Sequence, residues 1–201
     1  MRFKVLMADV DGVVIVHPDG QGWAAHIERD LGLSRKALQA AFFEPYWRDI
    51  VLGHCALRSR LQPVLAEIAP QIDVDAFIRY WFEHDAHLDR DLLAQLADIR
   101  ARGMALHLAT VQEHERAHYI WQTLGLNRHF DAMHYAAELG CTKPDEAFYA
   151  AVERQSGFGP ADIFFIDDSD ANVAAARKRG WSAAVWDGTR RLVDLLDEAA
   201  R

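Results

Sequence analysis

Four short pieces of the chain carry groups that could do chemistry together. Asp9, Val10, Asp11 and Gly12 close the apolar run KVLMA, Thr110 closes ALHLA, Lys143 precedes Pro144, and Asp167 and Asp168 close IFFI. Two carboxylates, a hydroxyl, an ammonium and a second carboxylate pair are what phosphoryl transfer needs. They can supply a nucleophile, a proton carrier, partners for phosphoryl oxygens and oxygen ligands for a cation. Each piece alone is weak; their order along one chain is the signal.

Asp9 and Asp11 are two apart, so in a regular strand they would share a face, and Gly12 lets the backbone turn sharply after them. One carboxylate could attack while its neighbour trades protons; the pair could equally be solvated acids at a strand end. Asp167 and Asp168 could simply cap a helix. Gathered at one pole, however, such carboxylates repel by about 4 kcal/mol per pair at about 4 Å and an effective dielectric near 20. A divalent cation relieves that, and oxygen-only ligands with room for water and phosphate point to magnesium rather than zinc. Thr110 offers a hydroxyl and an N–H at the start of a predicted helix, where unpaired amides favour an anion. Lys143 adds a positive point charge.

The elements that must position these groups follow from apolar patterning. Phe3 to Ala8 is nearly continuous in apolar residues, as a strand buried on both faces requires. A second apolar run, Val13 to Val16, precedes Pro18-Asp19-Gly20 and predicts a small hairpin. From about residue 22 to 85 the pattern is helical: Trp23, Ile27 and Leu31 recur at four-residue spacing, as do Ile78 and Phe82, with Pro45, Pro63 and Pro70 as breaks. Strands at Met104 to Thr110, Ala132 to Tyr135, Ile163 to Asp167 and Ser182 to Trp186 then alternate with helices. The fold class is α/β: a Rossmann-like parallel sheet with helices on both faces and an inserted all-helical cap. Residues 1–16 and 86–201 would form the core and 17–85 the cap. In such sheets ligands bind beyond the carboxyl ends of the strands, where Asp9, Thr110 and Asp167 fall.

Composition narrows the partners. Lys plus Arg number 22 against 30 Asp plus Glu, a formal charge of -8, which disfavours nucleic acid and gives no attraction to an anionic membrane. The N-terminal apolar stretch is interrupted by Asp9 and Asp11, so it reads as neither signal peptide nor spanning helix, and a cytoplasmic location is expected. Cys55 and Cys141 lack metal-ligand spacing and fit a reducing compartment. His114 and His118 lack a third zinc ligand at matching spacing. Trp23, Trp47, Trp81 and Phe82 are expected to pack the insert, and Arg48 or Arg58 could reach a remote anionic group of a substrate. Oligomeric state is not readable.

Taken together, these motifs resemble the haloacid dehalogenase superfamily of hydrolases: DxDG, a Ser or Thr after a strand, a Lys, then a strand ending in paired acids. The likeness spans the whole chain, the insert looks like the family's helical cap of the first type, and residues 138 to 172 look like its sugar-phosphate phosphatase branch. The resemblance implies that Asp9 is the nucleophile, forming an aspartyl-phosphate, and that Asp11 is the acid and then the base. Mg2+ would be held by Asp9, the Asp11 carbonyl, Asp168 and Asp167, the last directly or through water. Thr110, Val111 through its amide, and Lys143 would hold the phosphoryl oxygens of a small-molecule phosphate ester. The family often has Asn where this chain has Val111, so a side-chain donor is lost, and Gln112 could replace it. A phosphomutase, a haloacid dehalogenase and a non-catalytic phospho-acceptor protein are the alternatives.

Overall fold

The computed structural model describes residues 2–17 and 20–201. Five parallel strands make one sheet: β1 (Val5–Ala8), β2 (Ala105–Thr110), β3 (Ala132–Tyr135), β4 (Ile163–Asp167) and β5 (Ser182–Val185), in the order β3-β2-β1-β4-β5. Every residue of β1 is buried, because β1 lies at the centre and is covered on both faces. Alternation along the strand assigns the two faces. Leu6 and Ala8 join one apolar cluster with α6 (Arg90–Ala101) and α11 (Leu192–Ala199); Val5 and Met7 join the other with α9 (Glu146–Ser156) and α10 (Asp170–Lys178). Strand order reverses between β1 and β4, which fixes the ligand crevice of such a sheet at their carboxyl ends.

Among the described residues, five α-helices intervene between β1 and β2 before α6: α1 (Ile27–Leu31), α2 (Arg35–Leu38), α3 (Glu44–Val51), α4 (Leu57–Ile68) and α5 (Val74–His84). Their apolar stripes bury one another in a separate cluster around Phe42, Leu61, Phe77 and Trp81. Caps set the starts: Ser34 accepts from Ala37 N, and Asp73 accepts from Asp75 N and Ala76 N. A wide turn at Gln39–Phe43 joins α2 to α3 just before Pro45, whose missing N–H could not support a regular turn there.

Two local expectations change. Pro63 does not end a helix but sits inside α4; it and Ser59, four residues earlier, are exposed, so water can serve the carbonyl that the proline leaves unpaired. Val13 to Val16 forms no hairpin of its own. Val10 O collects the amides of Val13, Val14 and Ile15 in a tight turn, after which the segment pairs with the chain returning from the insert: Val16 N to His87 O at 2.9 Å and Asp89 N to Val14 O at 2.9 Å. The rest of the expected turn, Pro18 and Asp19, lies outside the described residues. The two crossings between core and insert therefore run side by side, next to Asp11.

Candidate active site

Asp9 follows β1 directly, and its amide extends the sheet by donating to Ile166 O of β4 at 2.9 Å. That hydrogen bond sets the first carboxylate beside the last pair. One oxygen each of Asp9, Asp167 and Asp168 lie within 4.8 Å of one another. Gly12 makes the approach possible: its φ is +78°, and a Cβ there would sit 2.3 Å from Asp168 Oδ2.

Lys143 is buried between the acids, with Nζ 2.5 Å from Asp167 Oδ2 and 2.9 Å from Asp9 Oδ1. Its directed hydrogen bond goes to Asp167, while Asp9 Oδ1 is shut off from solvent and accepts no aligned hydrogen bond. Asp167, by contrast, is fully engaged: Oδ1 accepts from Ser169 N and Asn172 Nδ2 at 2.9 Å, and Oδ2 also accepts from Asn172 at 3.1 Å. Asp167 thus orients Lys143 and Asn172, and Asp9 and exposed Asp168 hold the less committed oxygens.

Burial pushes the Asp9 carboxyl up; Lys143 opposes this and Asp167 adds to it. Asp168 is also raised, first by loss of solvation and then by Asp167. Three carboxylates around one ammonium leave an excess of negative charge in a poorly solvated place. The residues fit a small hard cation: the donors are all oxygen, they are close enough to share one ion, and one buried oxygen accepts no aligned hydrogen bond. Among the described residues no other trio of potential metal ligands converges. His114 is turned instead toward the Tyr135 hydroxyl, 3.3 Å away.

Thr110 ends β2, fully buried, and the pairing of Leu108 with Ala8 brings it level with Val10 beside the acids. The expectation of an open helix end beyond it is corrected. Helix α7 (His114–His118) starts four residues later, and Glu113 seals it by accepting from the amides of Glu115 and Arg116. An incoming anion would compete with a buried carboxylate there, so Thr110 and the adjoining Val111 backbone are the groups left at that strand end.

Asp11 stands at the mouth of the crevice. One side of the residue meets solvent, yet protein crowds its carboxyl and pushes it up to about 6; Asp85 raises it further, Arg116 lowers it, Asp9 raises it, and Gln112 lowers it by donating to Oδ2 at 2.7 Å. Asp85 and Arg116 escaped the sequence reading because a helix-end acid and a mid-helix arginine have no distinctive spacing. Asp85 lies in the segment returning from the insert. It pairs with His17 at 2.9 Å and with Arg116 at 3.1 Å, tying both crossings to α7. Arg58 is also occupied, bridging α4 to Glu115 at 2.8 Å and to Asp75. The insert's aromatics pack on each other, Trp23 stacking on Trp81 at 5.0 Å.

Fold and site together define a hydrolase of the parallel-sheet class with its acids at the switch between β1 and β4. A model of haloacid dehalogenase-like hydrolases matches residues 3–180, and the chain belongs to that family. Similar solved structures include a family enzyme of Bacteroides thetaiotaomicron in complex with magnesium and inorganic phosphate, 16% identical, with a TM-score of 0.78 over 96% of this chain and 98% of that one. A family hydrolase of Porphyromonas gingivalis is likewise 16% identical, with a TM-score of 0.77 over 100% of this chain and 99% of that one. A sesquiterpene phosphatase of Aspergillus oryzae is 29% identical over 98 residues, 46% of this chain. The chain spans about half the length of that curated relative, 47%. No described helix is long and apolar enough to cross a membrane.

Proposed function

We propose that the chain is a magnesium-dependent phosphatase of a small phosphorylated metabolite, working through an aspartyl-phosphate on Asp9. The observation that carries this reading is the convergence of Asp9, Asp167 and Asp168 around Lys143, with Asp9 keeping an oxygen that accepts no aligned hydrogen bond. Asp9 attacks the phosphorus in line with the leaving oxygen, and Asp11 gives that oxygen its proton. The same Asp11 carboxylate then takes a proton from the water that releases phosphate. Lys143, Thr110 and the Val111 amide hold the phosphoryl oxygens and balance the charge that spreads over them. Bound Mg2+, held by Asp9, Asp168 and the Asp11 carbonyl with Asp167 behind them, would supply charge neutralisation at the phosphoryl group.

Residues 17–85 act as the cap in this reading. Gly53, in the loop between α3 and α4, rests on the carbonyl of Ala137 in α8 (Ala136–Leu139), so the insert reaches across to the segment that leads to Lys143. An enclosed site suits a small ester, sugar phosphates included, better than a polymer. Asp11 and the Asp167-Asp168 pair weigh against a haloacid dehalogenase, which needs no metal and no second acid two residues on. A phosphomutase would use the same residues with a different cap, and a phospho-acceptor protein would hold its phosphoryl group instead of turning over. A cytoplasmic location and the absence of nucleic-acid or membrane partners belong to the same proposal, supported by the acidic composition.

The test is phosphate release from a panel of sugar phosphates, nucleotides, isoprenoid phosphates and an aryl phosphate, with and without magnesium. Turnover that stops on chelation and returns with Mg2+ is expected. A stoichiometric phosphoprotein without turnover, or activity indifferent to chelation, would contradict the proposal.

A further inference from the structure

Gln112 is the least expected residue of the crevice. It is 4% exposed, two residues past Thr110, in a segment held by Ala137 N donating to its carbonyl at 3.1 Å. Its side-chain Nε2 donates to Asp11 Oδ2 at 2.7 Å and, more weakly, to Thr110 Oγ1 at 3.4 Å. One buried amide thus spans the proton carrier and the hydroxyl of the phosphate side. The missing donor at Val111 is not replaced at the phosphate in this arrangement; the amide is spent mainly on the acid.

A carboxyl group can carry its proton on either oxygen, and only one position is useful to a given leaving group. A donor fixed at Oδ2 favours the proton on the other oxygen, because the unprotonated oxygen of a carboxyl group is the stronger hydrogen-bond acceptor. We propose that Gln112 is the positioning residue for Asp11, holding Oδ2 so that Oδ1 carries the proton to the leaving oxygen and later takes one from water. This rests on the phosphatase reading above. As the P–O bond of the ester breaks and the bond from Asp9 to phosphorus forms, the proton on Oδ1 passes to the leaving alkoxide. The proton of the attacking water then restores it when the Asp9 phosphoryl bond is cleaved. Gln112 is the one hydrogen-bond partner of the Asp11 carboxylate among the described side chains.

The discriminating variable is the leaving group. A nitrophenolate departs without a proton, whereas a primary alkoxide needs one, and kcat/KM reports on steps up to that departure. Gln112→Met keeps the volume and removes the donor. Its kcat/KM for a primary alkyl phosphate should fall by about tenfold to a hundredfold, mostly in kcat, with a loss at least several times smaller for 4-nitrophenyl phosphate. Asp11→Asn should show the same bias more strongly. Gln112→Leu provides a second donor-free side chain, and thermal unfolding checks that each variant is folded. Equal losses on both esters, or no loss, would overturn the assignment and leave Gln112 with phosphate binding or packing. Failure of the native protein to hydrolyse either ester with magnesium would overturn the phosphatase reading itself.

Discussion

At the scale of single residues, Gly12 ties the first motif to the last. Any side chain there meets Asp168 Oδ2 at 2.3 Å and must also adopt a φ of +78°. Gly12→Ala should therefore stay folded, losing about 1–2 kcal/mol to backbone strain, while magnesium binding weakens at least tenfold because Asp168 is displaced. Calorimetric titration with magnesium checks this, and unchanged affinity would separate Asp168 from the cation. The acids and Thr110 stood out as candidates in the sequence because each interrupts or ends an apolar run, whereas Lys143 stood out only by its place in the order of the motifs. Gln112, Asp85 and Arg116 were not legible as a set, since what joins them to Asp11 is a crossing of chain segments and not a spacing. The division of labour between Asp167 and Asp168 was equally hidden. It depends on Asn172 and Ser169 filling the oxygens of one carboxylate and not the other.

At the scale of elements, the strands could be read from their continuous apolar runs, and the insert from its four-residue periodicity. The apolar run Val13 to Val16 misled for a physical reason: it is continuously apolar as a buried strand would be, but its partner is the returning chain at His87 to Asp89, which pattern alone does not reveal. The contact through which the insert would act as a cap is smaller still. A Cβ on Gly53 would come 2.4 Å from Ala137 O and 3.2 Å from His114 Nε2. Gly53→Ala should thus hold the insert away from α8. The predicted outcome is a KM raised about three- to tenfold for the preferred ester, with the thermal midpoint lowered by only a few degrees. An unchanged KM would show that closure does not involve this loop.

At the scale of the whole molecule, the core carries a buried pair of histidines, His107 on β2 and His134 on β3. His134 Nδ1 meets Gln155 Oε1 at 2.5 Å and His134 Nε2 meets His107 Nδ1 at 3.0 Å, a chain that fails when both rings are protonated, because two N–H groups would then face each other. Burial, then the neighbouring His134, lowers His107 to about 4, and burial lowers His134 as well. A histidine depressed when folded contributes stability that is complete above its unfolded value near 6.5 and is lost as pH falls toward the folded value. Unfolding free energy should therefore drop by about 1–3 kcal/mol between pH 7 and pH 4.5 from this pair, and His107→Phe should remove much of that slope. Equal slopes in denaturant titrations of both proteins would refute it.

Asp9 would form an acyl-phosphate during turnover, and that intermediate can be trapped. Protein quenched in acid during turnover, reduced with borohydride and mapped by peptide mass spectrometry should carry the reduced alcohol at Asp9 and nowhere else. Phosphate release with no modification of Asp9, or modification at Asp11, Asp167 or Asp168 instead, would contradict the account.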